Sequence, residues 1–306
     1  MPRSPAIRVR PAVPSDLRAC ARVFVRSAGH LARRLGEEFT APPLRDMAAA
    51  LGHILSTDPL GFHVATAQGR IVAFAATIVR GRTHFLSMFW ALPDIQGRGV
   101  GRRVLARAFA APKKPQGAVR CVYASLDTRA QVLYLKFGMQ PRSMIYRVTG
   151  KVRRSPRPVK VPTLVQVGPV GPSTKEQRDI AARYDRELRL ARRDADHVFL
   201  GKAPGARFFE ARYRGRRVGY VCLSAAGRIG PACVSDASLS AGLTWASLQK
   251  ARELRIQPWL IIPGLNEGAL RVAFEAGLRL TFPGAWMADG EMGDLRRYLL
   301  ASGILA

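Results

Sequence analysis

A glycine-rich turn between an apolar strand and a helix constrains the fold of this chain more than any other feature. The strand covers residues 84–91, the turn covers residues 96–101, and the helix begins near Val100. Glycine occupies every second position of the turn from Gly97 onward, which lets the backbone bend sharply and approach a ligand closely. The N–H groups and the dipole of a helix start attract anions. Nearby arginines add positive charge: Arg98, Arg102 and Arg103. The segment therefore predicts a cradle for a pyrophosphate.

Two common nucleotide-binding motifs do not fit this turn. A Walker P-loop ends in Gly-Lys-Ser/Thr, whereas Gly101 is followed by two arginines. A dinucleotide-binding turn opens a βαβ unit and leads to an acidic residue about 20 positions further on. Here the turn follows a hairpin, and the apolar strand around Cys121 carries no acid before Asp127. The pattern disfavours both motifs.

The periodicity of the flanking residues places the turn in a mixed α/β domain. A hairpin precedes it, with strands at 62–67 and 71–79 that are joined at Gln68-Gly69-Arg70. Ser15 or Asp16 is expected to cap the first helix. Alternation and helical spacing predict the other elements of this half: strands at 7–10, 84–91, 119–125 and 143–148, and helices at 17–35, 44–55, 100–111 and 129–137.

Two motifs in this half resemble the GNAT superfamily of N-acetyltransferases. The first matches the acetyl-CoA-binding pattern Gln/Arg-x-x-Gly-x-Gly/Ala at three positions: Gln96, Gly99 and Gly101. The second, residues 130–139, is similar to the family's Ala-x-x-Leu-Tyr-x-x-x-Gly-Phe element, with Tyr134 at the tyrosine. The resemblance covers roughly residues 5–148, a typical length for one domain. It implies an acyl-CoA-dependent N-acyltransferase that uses acetyl-CoA and no metal.

The resemblance also implies a role for the residues of the strand and the turn. The end of the strand would splay from its neighbour at a bulge and pair its backbone with the pantetheine amides. The amides of the turn would hold the pyrophosphate. The residues expected to bind the cofactor are Phe89, Trp90, Ala91, Gln96, Gly97, Arg98, Gly99, Val100, Gly101 and Arg102.

The catalytic residues follow less directly. Tyr134 is expected to protonate the leaving thiolate as general acid, although an ordinary core aromatic would give the same pattern. The strand before the turn carries no carboxylate, so His84 is its one titratable candidate for the general base, and the favoured interpretation is that this histidine merely begins the strand. A chain of waters or another carboxylate stays open: Glu37, Glu38 or Asp127. A backbone N–H of the splayed strand would stabilise the oxyanion.

The second half of the chain repeats the order of elements in the first. Residues 269–278 echo residues 130–139, which suggests a diverged duplication. The predicted fold class is therefore α/β of the α+β type: two tandem GNAT-like domains, each with a mixed, mostly antiparallel sheet flanked by helices. The expected domains are 1–150 and 173–306. Residues 151–172, rich in Pro, Lys, Arg and Gly, are predicted to form a linker or crossover strand. Strands are expected at 208–213, 218–224 and 259–262, and helices at 174–191, 240–254 and 267–276.

The second domain is expected to be degenerate. Residues 227–233 stand where the strand and the cofactor turn belong, but no Gln/Arg-x-x-Gly-x-Gly follows them. Ala273 takes the place of Tyr134 and offers no proton. This domain is expected to shape the acceptor pocket or to stabilise the first domain. Four polar residues are candidates for an acceptor site, although solvated surface is the simpler interpretation of each: Asp185, Asp194, Asp196 and His197.

The charge of the chain attracts polyanions. Lys and Arg number 49 against 21 Asp and Glu, a net charge of +28. A nucleic-acid partner is nevertheless disfavoured, because the charge is spread along the chain and neither a helix-turn-helix nor an aromatic-basic RNA motif is recognisable. The expected partner is a small-molecule or peptide amine, whose identity the sequence leaves open together with the oligomeric state. The alternative function is a non-catalytic acyl-CoA sensor.

The remaining composition predicts a cytoplasmic protein that is not inserted in a membrane. No apolar segment is long enough to cross a bilayer, and residues 1–4 lack a signal core, which predicts an uncleaved N-terminus. The four cysteines show no CxxC spacing, so buried free thiols are expected and a disulfide or metal site is disfavoured.

Overall fold

The protein is described here from a computed structural model, which describes residues 7–112, 115–153, 165–170 and 174–305. The chain forms two compact units, Met1–Arg120 and Cys121–Ala306. The prediction for residues 1–4 and most of the predicted linker lie outside the described residues.

The first unit contains the elements that the periodicity predicts up to residue 111, and the later elements of the predicted first domain fall in the second unit. The strands and helices of the first unit are β1 (Ile7–Pro11), α1 (Leu17–Leu35), α2 (Leu44–Thr57), β2 (Phe62–Ala67), β3 (Arg70–Arg80), β4 (Thr83–Ala91) and α3 (Val100–Ala110). Strands β1 to β4 pair in chain order as an antiparallel sheet. Helix α1 ends at Gly36, whose φ of 68° is easily reached only by a residue without a Cβ.

The predicted side-chain cap of α1 is not formed. Asp16 stands at the cap position, but its carboxylate accepts hydrogen bonds from the guanidinium of Arg10, 2.6 Å away, and from the N–H of Val13. An ion pair with a neighbouring strand thus replaces the local cap, and the helix is held by the burial of its apolar face instead: Cys20, Val23, Ala28 and Ala32.

The second unit begins within β5 (Val119–Ala124) and holds the remaining elements. These are α4 (Thr128–Lys136), β6 (Gln140–Thr149), β7 (Gln166–Pro169), α5 (Thr174–Arg189), α6 (Asp194–Gly201), β8 (Arg207–Tyr213), β9 (Arg216–Leu223), β10 (Ile229–Val234), α7 (Ser240–Glu253), β11 (Trp259–Pro263), α8 (Glu267–Glu275), β12 (Arg279–Ala288) and β13 (Tyr298–Leu299). Strand β7 lies at the end of the predicted linker, and α6 was not predicted as a separate helix.

The last strands of the two sequence halves are interleaved. Strand β12 lies between β5 and β6, pairing with both in antiparallel fashion, and β6 in turn pairs on its other edge with β11. Strands β7, β8, β9, β10 and β13 form a second, antiparallel sheet. The predicted fold class, mostly antiparallel sheets flanked by helices in two tandem repeats, is confirmed. The compact units divide at Arg120 and Cys121, while the boundary at residue 150 stays a prediction.

The core of the second unit connects its two sheets. Val148 of β6 belongs to one buried cluster with Leu260 and Ile262 of β11 and with Val221 of β9. Helices α7 and α8 contribute further apolar side chains to that cluster, among them Leu248 and Val272. Within the described ranges, none of the helices is both long enough and apolar enough to cross a membrane. The four cysteines carry free thiols.

Candidate active site

The end of β4 is fixed to its surroundings before the glycine-rich turn begins. The register between β3 and β4 shifts near Ser87, which marks a bulge two residues before Phe89; the splay of residues 89–91 from a neighbouring strand stays a prediction. The carbonyl of Ala91 accepts two hydrogen bonds, from Gln96 Nε2 at 2.8 Å and from Ser27 Oγ at 3.0 Å. Because a carbonyl has two lone pairs, that oxygen is fully used, and the expected pairing of the backbone of residues 89–91 with a ligand stays a prediction.

Two glycines of the turn adopt backbone conformations that side chains disfavour. The φ angles are 81° at Gly97 and 73° at Gly99, both in the left-handed region. A Cβ added at either position would meet no atom within 4 Å, so the space beside them is open. Gly101 differs, because a Cβ there would lie 2.9 Å from Cζ of Phe89. The third glycine therefore lets the first turn of α3 rest directly on the Phe89 ring.

The turn presents a run of backbone donors. Among the described residues Gly97 to Arg102, the N–H of Arg98 closes a turn with the preceding residues, no backbone acceptor is seen for the other amides, and α3 has no side-chain cap. Helix α3 carries no acidic residue, and the side chains of Arg98 and Arg102 are exposed. Donors at a helix start, open space and positive charge together suit an anion of the size of a diphosphate.

Tyr134 lies in α4, within the second unit. It is the buried residue of that helix, 5% exposed, and burial raises the pKa of its phenol well above the ordinary value. A phenol with a raised pKa is protonated at neutral pH, which is the state that a general acid needs. Helix α4 is capped by the carboxylate of Asp127, which accepts from the N–H of Arg129 and pairs with its guanidinium.

The candidates for the general base lie in different surroundings. His84 is completely buried near the start of β4, edge-on to Phe109 at 5.1 Å. It is six residues from Trp90 along an extended strand, about 20 Å at 3.3 Å per residue. Glu38 is exposed, whereas Glu37 is half-buried, and burial raises the pKa of its carboxyl. These roles stay predictions.

In the second half, an aspartate caps the short 3-10 helix Ala237–Leu239 that precedes α7, whereas α7 itself, like α3, has no side-chain cap. After β10, Asp236 accepts hydrogen bonds from the N–H of Ser238 at 2.8 Å and from its hydroxyl at 2.6 Å, just before α7 begins. The carboxylate supplies the negative charge that a helix start favours. Ala273, at the place of Tyr134, is fully buried.

The interpretation of Asp185 as solvated surface was wrong. Its carboxylate is fully buried and accepts from Tyr220 Oη at 2.7 Å and from Arg193 Nε at 3.1 Å, and it lies 2.8 Å from His197 Nε2. Burial alone would raise the pKa of Asp185, but Arg193 and the hydrogen bonds from His197 and Tyr220 hold it well below the ordinary value. Asp196 is buried as well.

This network was missed because its members are far apart in sequence. Arg193 also donates to the hydroxyl of Tyr298, 105 residues away. The guanidinium of Arg189 lies over the rings of Trp286 and Tyr298, 5.1 Å from each centroid. No short motif links these positions, so a sequence signal for them was absent. The buried ion pair connects α5 and α6 to the second sheet.

The comparisons with known proteins agree with this geometry. The family model of the acetyltransferase (GNAT) domain matches residues 58–141, which include the turn and α4. The match covers less than a third of the chain, and it identifies a GNAT-type acetyltransferase domain in that segment. Members of this superfamily transfer acyl groups from acyl-CoA, and that general activity is supported for this chain.

Solved GNAT structures extend the likeness over the whole chain. A putative acetyltransferase from Pyrococcus horikoshii is 17% identical with a TM-score of 0.75, covering 98% of this chain and 96% of that one. A GNAT protein from Sphaerobacter thermophilus is 16% identical with a TM-score of 0.60, covering 92% and 95%.

A tandem GNAT protein from the clavulanic acid biosynthesis pathway is 15% identical with a TM-score of 0.57, covering 94% and 99%. At such identities the likeness concerns the fold alone. No curated protein sequence matches the chain.

Proposed function

We propose that this GNAT protein transfers the acetyl group of acetyl-CoA to a primary amine. The observation that carries the proposal is the turn 97–101, where left-handed glycines leave open space beside a run of backbone N–H groups. Such a site binds a diphosphate without a metal ion, because the amides and the helix dipole supply the positive potential. Arg98 and Arg102 add charge at its edge.

The residues of β4 and the turn would hold the acyl donor. The amides of Gly97–Gly101 would bind its diphosphate, and the backbone of Phe89 and Trp90 would bind the pantetheine arm as an added strand does. Acetyl-CoA supplies a thioester, whose carbonyl carbon is open to attack by a neutral amine. A backbone N–H of β4 would stabilise the negative charge that develops on the carbonyl oxygen.

Tyr134 would complete the reaction as the general acid. The resemblance assigns it to the leaving thiolate, and its raised pKa keeps the phenolic proton in place at neutral pH. The degenerate second half, which lacks the Gln/Arg-x-x-Gly-x-Gly pattern and has Ala273 in place of Tyr134, would serve the shape and stability of the protein rather than a second transfer site.

Two measurements test the proposal. Saturating acetyl-CoA should raise the melting temperature, since a ligand at about 100 times its Kd adds roughly 2.7 kcal/mol to the unfolding free energy. Release of CoA should then depend on an added primary amine. An unchanged melting curve would refute the proposal, and stabilisation without turnover for any amine would favour the acyl-CoA sensor.

A further inference from the structure

Three aromatic side chains form a partly exposed apolar surface at the end of β4. Phe24 of α1 lies edge-on to Trp90, with ring centroids 5.1 Å apart, and edge-on to Phe39 at 6.2 Å. Each of the three is half-buried rather than enclosed in the core. We call these residues the aromatic surface. It lies at the part of β4 whose backbone would bind the pantetheine arm.

The aromatic surface is held in place by the backbone around it. Ser27, one turn after Phe24 on α1, donates its hydroxyl to the carbonyl of Ala91 at 3.0 Å, which joins α1 to the end of β4. Phe39 packs against Gly29, where an added Cβ would lie 3.3 Å from the ring. The surface is thus built into the fold before any ligand arrives, which lowers the entropy cost of binding.

A carboxylate stands two residues before one ring of this surface in the chain. Glu37 is two residues before Phe39, so their Cα atoms are at most about 7 Å apart. Between Asp16 and Asp46 the chain has no acidic residues other than Glu37 and Glu38, and α1 alone carries five arginines. Glu38 is exposed to solvent, whereas Glu37 is half-buried, and its raised pKa makes it a stronger base than a solvated carboxylate.

We propose that the acceptor is a primary amine attached to an apolar, preferably aromatic, group, bound by the aromatic surface and by Glu37. The proposal rests on the proposed function, since it places the acceptor next to the acyl end of the donor. An aromatic acceptor would stack on Phe39 and Trp90 in the offset or edge-on arrangements that such rings favour. Its ammonium group would complement the negative charge of Glu37 in an otherwise basic protein.

The proton and electron balance of the transfer is simple. The ammonium group of the acceptor gives one proton to the carboxylate of Glu37, and the nitrogen lone pair then forms the new C–N bond. The C–S bond of the thioester breaks with its electron pair going to sulfur, and the thiolate takes a proton from Tyr134. The nitrogen, which is positively charged after the attack, loses its second proton, and this proton restores the phenol of Tyr134 through solvent. The neutral amide and CoA then leave, and Glu37 returns its proton to solvent.

The test compares two amines and three variants. 2-Phenylethylamine and ethanolamine have similar amino groups, but only the first has a ring to bury. Glu37→Gln removes the proposed base, and Glu38→Gln removes the same charge from the neighbouring exposed position. Phe39→Leu shortens the aromatic surface conservatively. Stabilisation by acetyl-CoA is measured first for every protein, which shows that each variant is folded and binds the donor.

We expect kcat/KM of the wild type to be higher for 2-phenylethylamine by roughly 10-fold or more, as full burial of a phenyl group predicts. Phe39→Leu should reduce the preference for 2-phenylethylamine over ethanolamine by raising KM for 2-phenylethylamine. Glu37→Gln should reduce kcat for both amines by about 100-fold, as the loss of a general base does. Glu38→Gln should leave both rates nearly unchanged.

The two proposals fail in different ways. If acetyl-CoA does not stabilise the wild type, the proposed function fails and the acceptor assignment fails with it. Two outcomes would refute the acceptor assignment on its own while acetyl-CoA still binds. Either kcat/KM is equal for ethanolamine and 2-phenylethylamine, or neither amine is acetylated. Equal kcat values for Glu37→Gln and Glu38→Gln would show that Glu37 is not the general base.

Discussion

Replacing Gly99 by Ala separates the binding role of the turn from its role in folding. At a φ of 73°, an alanine costs about 1–2 kcal/mol of conformational strain. Gly69, in the turn between β2 and β3, has a φ of 74°, and a Cβ there would also meet no atom within 4 Å. Gly69→Ala is therefore a control with the same strain and the same free space but no proposed ligand.

The two variants should have similar stability and different affinity. For each kcal/mol of unfolding free energy that a variant loses, its melting temperature should fall by roughly 2–4 °C, as is usual for chains of about 150–250 residues. In Gly99→Ala the new methyl group projects into the space where the diphosphate would approach the amides. Loss of one hydrogen bond to a charged group costs about 1.5–3 kcal/mol, which corresponds to roughly 10- to 100-fold weaker binding.

Calorimetric titration with acetyl-CoA measures this difference, and thermal melts without ligand check the shared loss of stability. The reasoning would be refuted if both alanine variants bound acetyl-CoA with Kd values within about threefold of each other, less than 1 kcal/mol apart. A large loss of stability confined to Gly99→Ala would also contradict the open space that the structure places beside it.

Two further predictions concern the second unit. Tyr134→Phe should lower kcat about 100-fold, as removal of a general acid does, while the Kd for acetyl-CoA stays within error; turnover near the wild-type rate would exclude Tyr134 as the acid. Asp185→Asn should lower the unfolding free energy at pH 7 by about 3–5 kcal/mol, because it leaves Arg193 buried without its charge partner. Since the pKa of Asp185 is depressed in the fold, its stabilisation is present above the unfolded value of about 3.9 and is lost as pH falls below it. Denaturant titrations should therefore show wild type and variant converging under acid conditions; a constant gap would contradict the ionised state of Asp185.

Features set by neighbouring residues could be predicted from the sequence. Helix α1 was predicted at its observed bounds, and α3 to within one residue, because apolar spacing and the glycines that end or precede a helix act within one or two turns. The shape of the turn 96–101 follows from the same local rule, since glycine alone enters the left-handed region without strain.

Features that depend on distant partners could not be predicted. Asp16 is a residue type that commonly caps a helix at this position, but its carboxylate binds the guanidinium of Arg10 in the preceding strand instead. Asp185 looks like one polar residue among many on an amphipathic helix, and its burial depends on Tyr220, 35 residues away. The order of β5, β12 and β6 likewise could not be predicted, because the periodicity of a strand indicates which side chains share a face but not which strands lie beside it.

The interleaving of β6 and β12 makes the strand pairing of the first sequence half depend on the second half. Removing the second half would take β12 from between β5 and β6 and β11 from the far edge of β6, leaving unpaired backbone on three strand edges. Strands β11 and β12 are therefore required for the backbone pairing of β5 and β6, whatever ligand the second half binds.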